Sequence, residues 1–306
     1  MASATLLLPA RSRFPAAPLP DDVARALGRA ERSTVEAGES AQLQRHFQLQ
    51  PAHWPVAALT RQLDVGDAVD GVWLRADPAN VAPDMQGARM MGHGDTLRPD
   101  AEDVAALLPA LQPLFAGYGF TLDAPVPSRW YLRLPEEIQL PAFAAPDDVL
   151  GDDLFDHLPS GDTGRLWRAL LTEAQVVLHQ HDWNARRVAA GKRPINSLWF
   201  WGGGELPQSV STAYAQVRSR ESLLQALAKA AGVEVGGDQP VDALVDLRQL
   251  RSLEQLGNEA IRPLLAALQR GELRRLVLDF EDGLRFELDK GQRWKLWKKP
   301  LQLQDA

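Results

Sequence analysis

The chain contains no cysteine. That absence excludes disulfides, thiol nucleophiles and thiolate metal sites, and it suits a reducing cytoplasm. Histidine is scarce and one-sided, because His46, His53, His93, His157, His179 and His181 all precede residue 182 and leave the C-terminal part without an imidazole. Long apolar runs are missing as well. The leucines Leu6 to Leu8 are cut short by Pro9 and then by Arg11 and Arg13, too few for a secretory core, and nothing approaches a membrane span. Positive charge is also lacking. A net charge of −7 and a pI near 5.4 disfavour coating nucleic acid, whose phosphates reward a basic face, so neither a nucleic-acid partner nor a membrane span is expected.

What is present describes an ordinary soluble globular protein. With 306 residues, 45% of them hydrophobic, the chain can bury one large or two smaller cores. Residues 1–52 read as a variable, Pro-rich lead-in with one helix from Asp21 to Glu31. Residues 53–140 read as a small α+β lobe with strands near Gly71 to Ala76 and Trp130 to Leu134. Its helix from Ala101 to Gly117 repeats Val104, Leu107, Leu108, Leu111 and Leu114 at helical spacing, which requires a sheet to cover. Residues 141–160, rich in Pro, Asp and Gly, read as a linker.

Residues 161–306 read as an α/β lobe. A helix from Thr163 to His181 carries Trp167, Leu170, Leu171, Ala174 and Leu178 on one stripe, with His181 at its end beside the terminal carbonyls. Helices follow near 219–231 and, despite Pro263, near 257–269. Strands at 275–280 and 284–288 flank Glu281-Asp282-Gly283, a hairpin turn. The tail Gln292 to Lys299 interleaves Trp294 and Trp297 with lysines. Such a pattern suits an acidic membrane surface or single-stranded nucleic acid, but a terminal strand with lysines blunting its edge is the simpler expectation.

The densest signal lies between His179 and Gly204. Asn184 is placed to cap a short helix, Gly191 to adopt the left-handed conformation after it, and Pro194 to prevent its restart. Leu198 to Trp201 then read as a strand emptying into Gly202, Gly203 and Gly204. Glycines there let the backbone approach an anion or a neighbouring chain. Two readings stand. Asn184, Arg187, Arg193 and Asn196 with the backbone of Gly202 to Gly204 can bind a phosphorylated or carboxylated metabolite. Alternatively, Asn184 caps, Arg187 ties the turn to a carboxylate and Asn196 satisfies backbone groups. Elsewhere, His93 and Asp95 read as a polar turn, and Asp152, Asp153, Asp156 and His157 as a solvated loop, rather than as metal sites.

The order Asn-x-x-Arg-x-x-x-Gly-x-x-Pro-x-Asn followed by an aromatic strand and Gly-x-Gly resembles a segment of archaeal-type, cofactor-independent phosphoglycerate mutases. Arg75-Ala-Asp77 falls where that family carries an Arg-x-Asn, and Trp130-Tyr131-Leu132-Arg133 where it has a Tyr-Arg strand. The resemblance spans residues 55 to 210, with weak echoes towards 290. Within it, Ala76-Asp77-Pro78, Arg129 to Arg133, Leu166-Trp167-Arg168 and Asn196 to Gly204 look like RpfE-type regulatory proteins. The resemblance implies an α/β fold with a mixed sheet and flanking helices, like part of the phosphoglycerate mutase and alkaline-phosphatase architecture, plus the small α+β lobe.

It also implies a Ser or Thr nucleophile between two divalent metals held by Asp and His. The sequence departs from that pattern: no Asp follows the first apolar run, and the late strand offers Asp279 and Asp282 without a histidine. No catalytic residue, metal ligand or cofactor is therefore assigned. The expectation is a non-catalytic cytoplasmic regulator, with a small anionic metabolite or a regulatory protein as partner. One alternative is a divergent metal-dependent mutase or phosphatase using manganese or magnesium, for which Asp279, Asp282, Asp95 and His93 must converge. The other is an interaction scaffold, marked by an exposed tryptophan patch.

Overall fold

The strand Ala2–Leu8 ends in three consecutive leucines, so neither face of that end is marked as solvated, and the computed structural model buries both faces from Ala4 onward. It sits inside a seven-stranded sheet. Residues 2–84, 87–237, 239, 241–295 and 297–305 are described. They divide into two compact units, one made of Met1–Gln50 with Ser209–Ala306 and the other of Pro51–Gln208. Both are α/β, and together they make a mixed α/β protein with helices flanking multistranded sheets.

In the first unit the strand order is Glu234–Val235, Gln216–Arg218, Ala243–Asp246, Ala2–Leu8, Leu273–Phe280, Leu284–Asp289 and Glu31–Thr34. The first five run parallel, Leu284–Asp289 is antiparallel to Leu273–Phe280, and Glu31–Thr34 is antiparallel in turn to Leu284–Asp289. Because side chains alternate along a strand, Ala4, Leu6 and Leu8 pack with Leu276, Leu278 and Phe280 beneath helices Asp21–Arg29 and Arg262–Arg270, which contribute Val23, Leu27 and Leu268. Thr5, Leu7 and Asp279 carry the alternate register and are equally buried. Each fully buried leucine here contributes about 1.5–3 kcal/mol. Pro263 follows directly on the π-helical turn Leu256–Ile261, where the i→i−4 ladder that its missing N–H would break is already interrupted.

In the second unit the long strand Val72–Asp84 pairs with Gly87–His93, Arg129–Leu134 and Ser197–Gly204, and Thr121–Val126 extends the sheet beyond Arg129–Leu134. Helices Ala101–Ala116 and Gly161–His179 cover it with Leu107, Leu111, Phe115, Trp167 and Leu170. Trp167 stacks on Phe120 at 5.6 Å and meets Phe200 edge-on at 5.4 Å. Asp100 caps Ala101–Ala116 by accepting from the amides of Glu102 and Asp103, worth about 1 kcal/mol.

Three sequence-based expectations differ from this arrangement. Residues 1–52 supply a central strand rather than a lead-in, and their partners lie in 243–280, so the first unit joins the two ends of the chain. Residues 161–208 group with 51–140, and the stretch 141–160 forms the short helix Pro146–Val149 and the turn Leu154–His157 inside that unit. The tail holds a 3-10 turn, Lys290–Trp294, capped by the Asp289 carboxylate, and no strand among its described residues. Leu296 lies outside the described residues. Among the described residues no helix is long and apolar enough to cross a membrane.

Candidate functional site

The residues expected to face a metabolite are held by the second unit itself. Asn184 is buried; its Nδ2 donates to the carbonyls of Leu178 at 2.8 Å and Ile195 at 2.9 Å, and its Oδ1 accepts from Ile195 N at 2.8 Å. It is therefore no helix cap: the helix Trp183–Ala189 begins after Asp182, with no side-chain cap. A buried amide bridging a helix end to the next strand satisfies three peptide groups, which a cap cannot do. Arg187 is equally committed, pairing with Asp103 and donating to Leu97 O at 2.7 Å and Arg193 O at 2.9 Å. Arg193 donates to Met91 O. Asn196 exchanges two 2.8 Å hydrogen bonds with Val81 N and O, adding a rung to the ladder beside Ser197–Gly204.

The glycines answer to packing. A Cβ on Gly202 would fall 2.8 Å from Val56 Cβ, one on Gly203 2.6 Å from Leu140 Cδ1, and one on Gly204 3.0 Å from His53 Nε2. Gly202 and Gly204 also have positive φ, at 64° and 145°. The close approach is to neighbouring chain. His181, expected beside terminal carbonyls, instead accepts from Trp183 N through Nδ1 at 3.2 Å. Arg75, in the Arg-x-Asp segment, is gripped by both oxygens of Asp77 at 2.8 Å, and Trp201 Nε1 donates to the same carboxylate at 2.7 Å. Asp77 thus neutralises the guanidinium from within.

Asp279 and Asp282 belong to the first unit and His93 and Asp95 to the second, and Asp279, Asp282 and His93 each have a partner within their own unit. His93 Nε2 lies 3.3 Å from Asp147, and Asp282 binds Arg11 Nε at 2.7 Å.

Polar chemistry gathers instead where the parallel strands of the first unit end, the edge at which open α/β sheets usually bind ligands. Asp279, fully buried, accepts from Arg45 Nη2 at 2.7 Å and Nε at 3.2 Å, and from His46 Nε2 at 2.8 Å. Arg285 Nε stands 3.5 Å away. The other ring nitrogen of His46 lies 2.8 Å from the Tyr214 hydroxyl, which is 3.1 Å from Thr5 Oγ1. Gln42 donates to the Leu8 and Asp279 carbonyls. Burial alone would raise the Asp279 carboxyl, but the hydrogen bonds from His46 and Arg45 outweigh it and hold the group below the ordinary aspartate value. Burial pushes the Tyr214 phenol up.

A second cluster centres on Arg248, which is 7% exposed and binds Asp246 at 2.9 Å, Glu39 at 2.6 Å and Glu221 at 2.8 Å. Ser219 Oγ donates to Asp246 at 2.7 Å. Burial would raise the Asp246 carboxyl; Arg248 and Ser219 reverse this and keep it low. The serine has an ionised acceptor but no imidazole within hydrogen-bonding distance, so the pair positions a hydroxyl without activating it. Among the described residues no group of three or more His, Asp or Glu side chains converges to hold a metal ion. The sequence reading passed over His46, Tyr214, Ser219, Asp246 and Arg248. Leu244-Val-Asp246-Leu-Arg248, an apolar run ending in Asp-x-Arg, was the available signal.

No protein-family model matches the chain. It is 31% identical over 122 residues to a 2,3-bisphosphoglycerate-independent phosphoglycerate mutase of Methanothrix thermoacetophila, a match covering 37% of this chain and 31% of that protein. With the corresponding mutase of Methanosarcina acetivorans it shares 35% over 95 residues, covering 29% and 24%. The matched parts thus span about a third or less of these curated relatives. A cofactor-independent phosphoglycerate mutase structure from Thermoplasma acidophilum aligns over 95% of this chain and 90% of that one, at 14% identity and a TM-score of 0.40. The sequence matches relate the chain to the phosphoglycerate mutase lineage.

Proposed function

We propose that the chain is a non-catalytic regulatory protein of the phosphoglycerate mutase lineage, of the RpfE type, working in the cytoplasm and responding to a small phosphorylated or carboxylated metabolite. The observation that carries this reading is that the carboxylates at the carboxyl edge of the first unit's sheet are answered by arginine: Asp279 by Arg45, Asp246 by Arg248 and Asp282 by Arg11. Phosphoryl transfer between two metals requires carboxylates free to ligate them. A guanidinium already seated on each carboxylate competes for the same lone pairs and neutralises the charge a cation would need.

The test measures turnover of 3-phosphoglycerate by the purified protein in added manganese, together with its metal content by elemental mass spectrometry. No turnover is expected. Chelator-sensitive turnover with two bound divalent ions would overturn the reading in favour of a divergent metal-dependent mutase. A protein partner is the second reading, favoured by one observation: Trp294 and Trp297 in the tail are 67% and 75% exposed.

A further inference from the structure

At the opposite end of the same sheet, two cations, Arg25 and Lys290, stand without a counterion among the described residues. Helices Asp21–Arg29 and Arg262–Arg270 and the segment following strand Leu284–Asp289 enclose a half-open cavity of about 220 Å³. The cavity lies at the amino end of the parallel strands, because its wall residue Leu288 pairs with Leu276, whereas Asp279 at the carboxyl edge pairs with Arg285. Its floor includes the buried Leu268 and Leu288, and its polar lining includes Arg25, Arg29, Lys290 and Gln292.

Among the described residues the lining holds a single carboxylate, Asp22, and both of its oxygens are taken by Arg262 at 2.7 and 2.8 Å. That bond draws the Asp22 carboxyl down to about 2, so it stays committed to its partner. Neither the Arg25 nor the Lys290 side chain makes a hydrogen bond or ion pair with a described residue. Gln292, only 7% exposed, uses its Oε1 to accept from Asp289 N at 3.4 Å, and its Nε2 has no described partner. Arg29 closes the last turn of its helix, where the macrodipole favours a cation. That explanation does not extend to Arg25, earlier in the helix, or to Lys290, which comes from another element.

Placing Arg25 and Lys290 beside one cavity without a counterion costs repulsion, even in a chain of net charge −7. The cost is relieved when an anion enters. Guanidinium offers paired donors matched to an oxyanion, ammonium a mobile point charge, and the leucine floor a seat for an apolar body.

We propose that this cavity is a binding site for a small organic anion, a phosphate or carboxylate head carried on a compact apolar body. The proposal rests on the regulatory reading above for its purpose and gives that reading's metabolite a place, away from the arginine-sealed carboxyl edge.

The experiment titrates the full chain with phenyl phosphate by calorimetry at low ionic strength. Saturable binding at one site per chain is expected. Arg25→Gln and Lys290→Gln should each weaken it about tenfold, the equivalent of one charge-assisted hydrogen bond, while Ser219→Ala at the other end of the sheet binds as the parent does. Both cavity residues are exposed, so the variants should keep the parental melting midpoint. No saturable binding by the parent, or equal affinity in the parent and both cavity variants, would overturn the site. Mutase turnover with phenyl phosphate still bound at the cavity would sink the regulatory reading and leave the site standing. Failure of binding without turnover would do the reverse.

Discussion

The two ends of one sheet treat arginine in opposite ways. At the carboxyl edge, Arg45 and Arg248 are matched by Asp279, Asp246, Glu39 and Glu221. At the amino end, Arg25 and Lys290 border a cavity whose one carboxylate is already engaged by Arg262. A charge that finds its counterion inside the fold contributes to holding the fold; one that does not is available to something outside it. The second unit extends the first category, with Arg187 on Asp103 and Arg75 on Asp77. Motif residues that looked ready for an anion belong there because a carboxylate distant in sequence has claimed them.

The comparison is broken most directly by Asp279→Ala. It strands Arg45 and His46 beside a buried hole, and unfolding in denaturant should show a loss of about 3–5 kcal/mol. A loss below about 1 kcal/mol, within the range of an exposed pair, would mean that the edge is solvated and open to ligands after all. Acid should act on the same bond. Because the folded Asp279 carboxyl lies below its ordinary value, its contribution is present above the unfolded aspartate pKa, about 3.9, and disappears as pH falls through the folded value. Asp279→Asn should flatten that acid limb, and an unchanged slope would remove the role given to the pair. Ser219→Ala deletes two hydrogen bonds, the one its Oγ donates to Asp246 and the one it accepts from Glu221 N, so about 1–2 kcal/mol is expected. Arg25→Gln should be the smallest effect, with a melting midpoint equal to the parent's; a clear fall would show that Arg25 is structural and remove the contrast.

Local pattern revealed much of this fold. Helical spacing at Leu107, Leu111 and Trp167, the turn at Gly283 and the strand into Gly202 were legible because each is settled by neighbours within a few residues. Ala2–Leu8 was not, since its apolar run is explained only by strands more than two hundred residues later. The carboxyl-edge clusters escaped for the same reason: His46 meets Asp279, and Glu39 meets Arg248, across the length of the chain. Asn184 shows the finer difficulty. Its type and position suit a cap, and only burial next to Ile195 makes the bridging role more favourable.

The placement of Ala2–Leu8 also fixes an order of events during synthesis. The strand leaves the ribosome more than two hundred residues ahead of both its parallel neighbours, Ala243–Asp246 and Leu273–Phe280. Pro51–Gln208 has all its own strands by the time Gln208 emerges, so it can finish folding while Ala2–Leu8 still waits. Until those neighbours are made this strand is an unpaired apolar edge, and a chaperone that binds nascent apolar segments would find a long-lived target there.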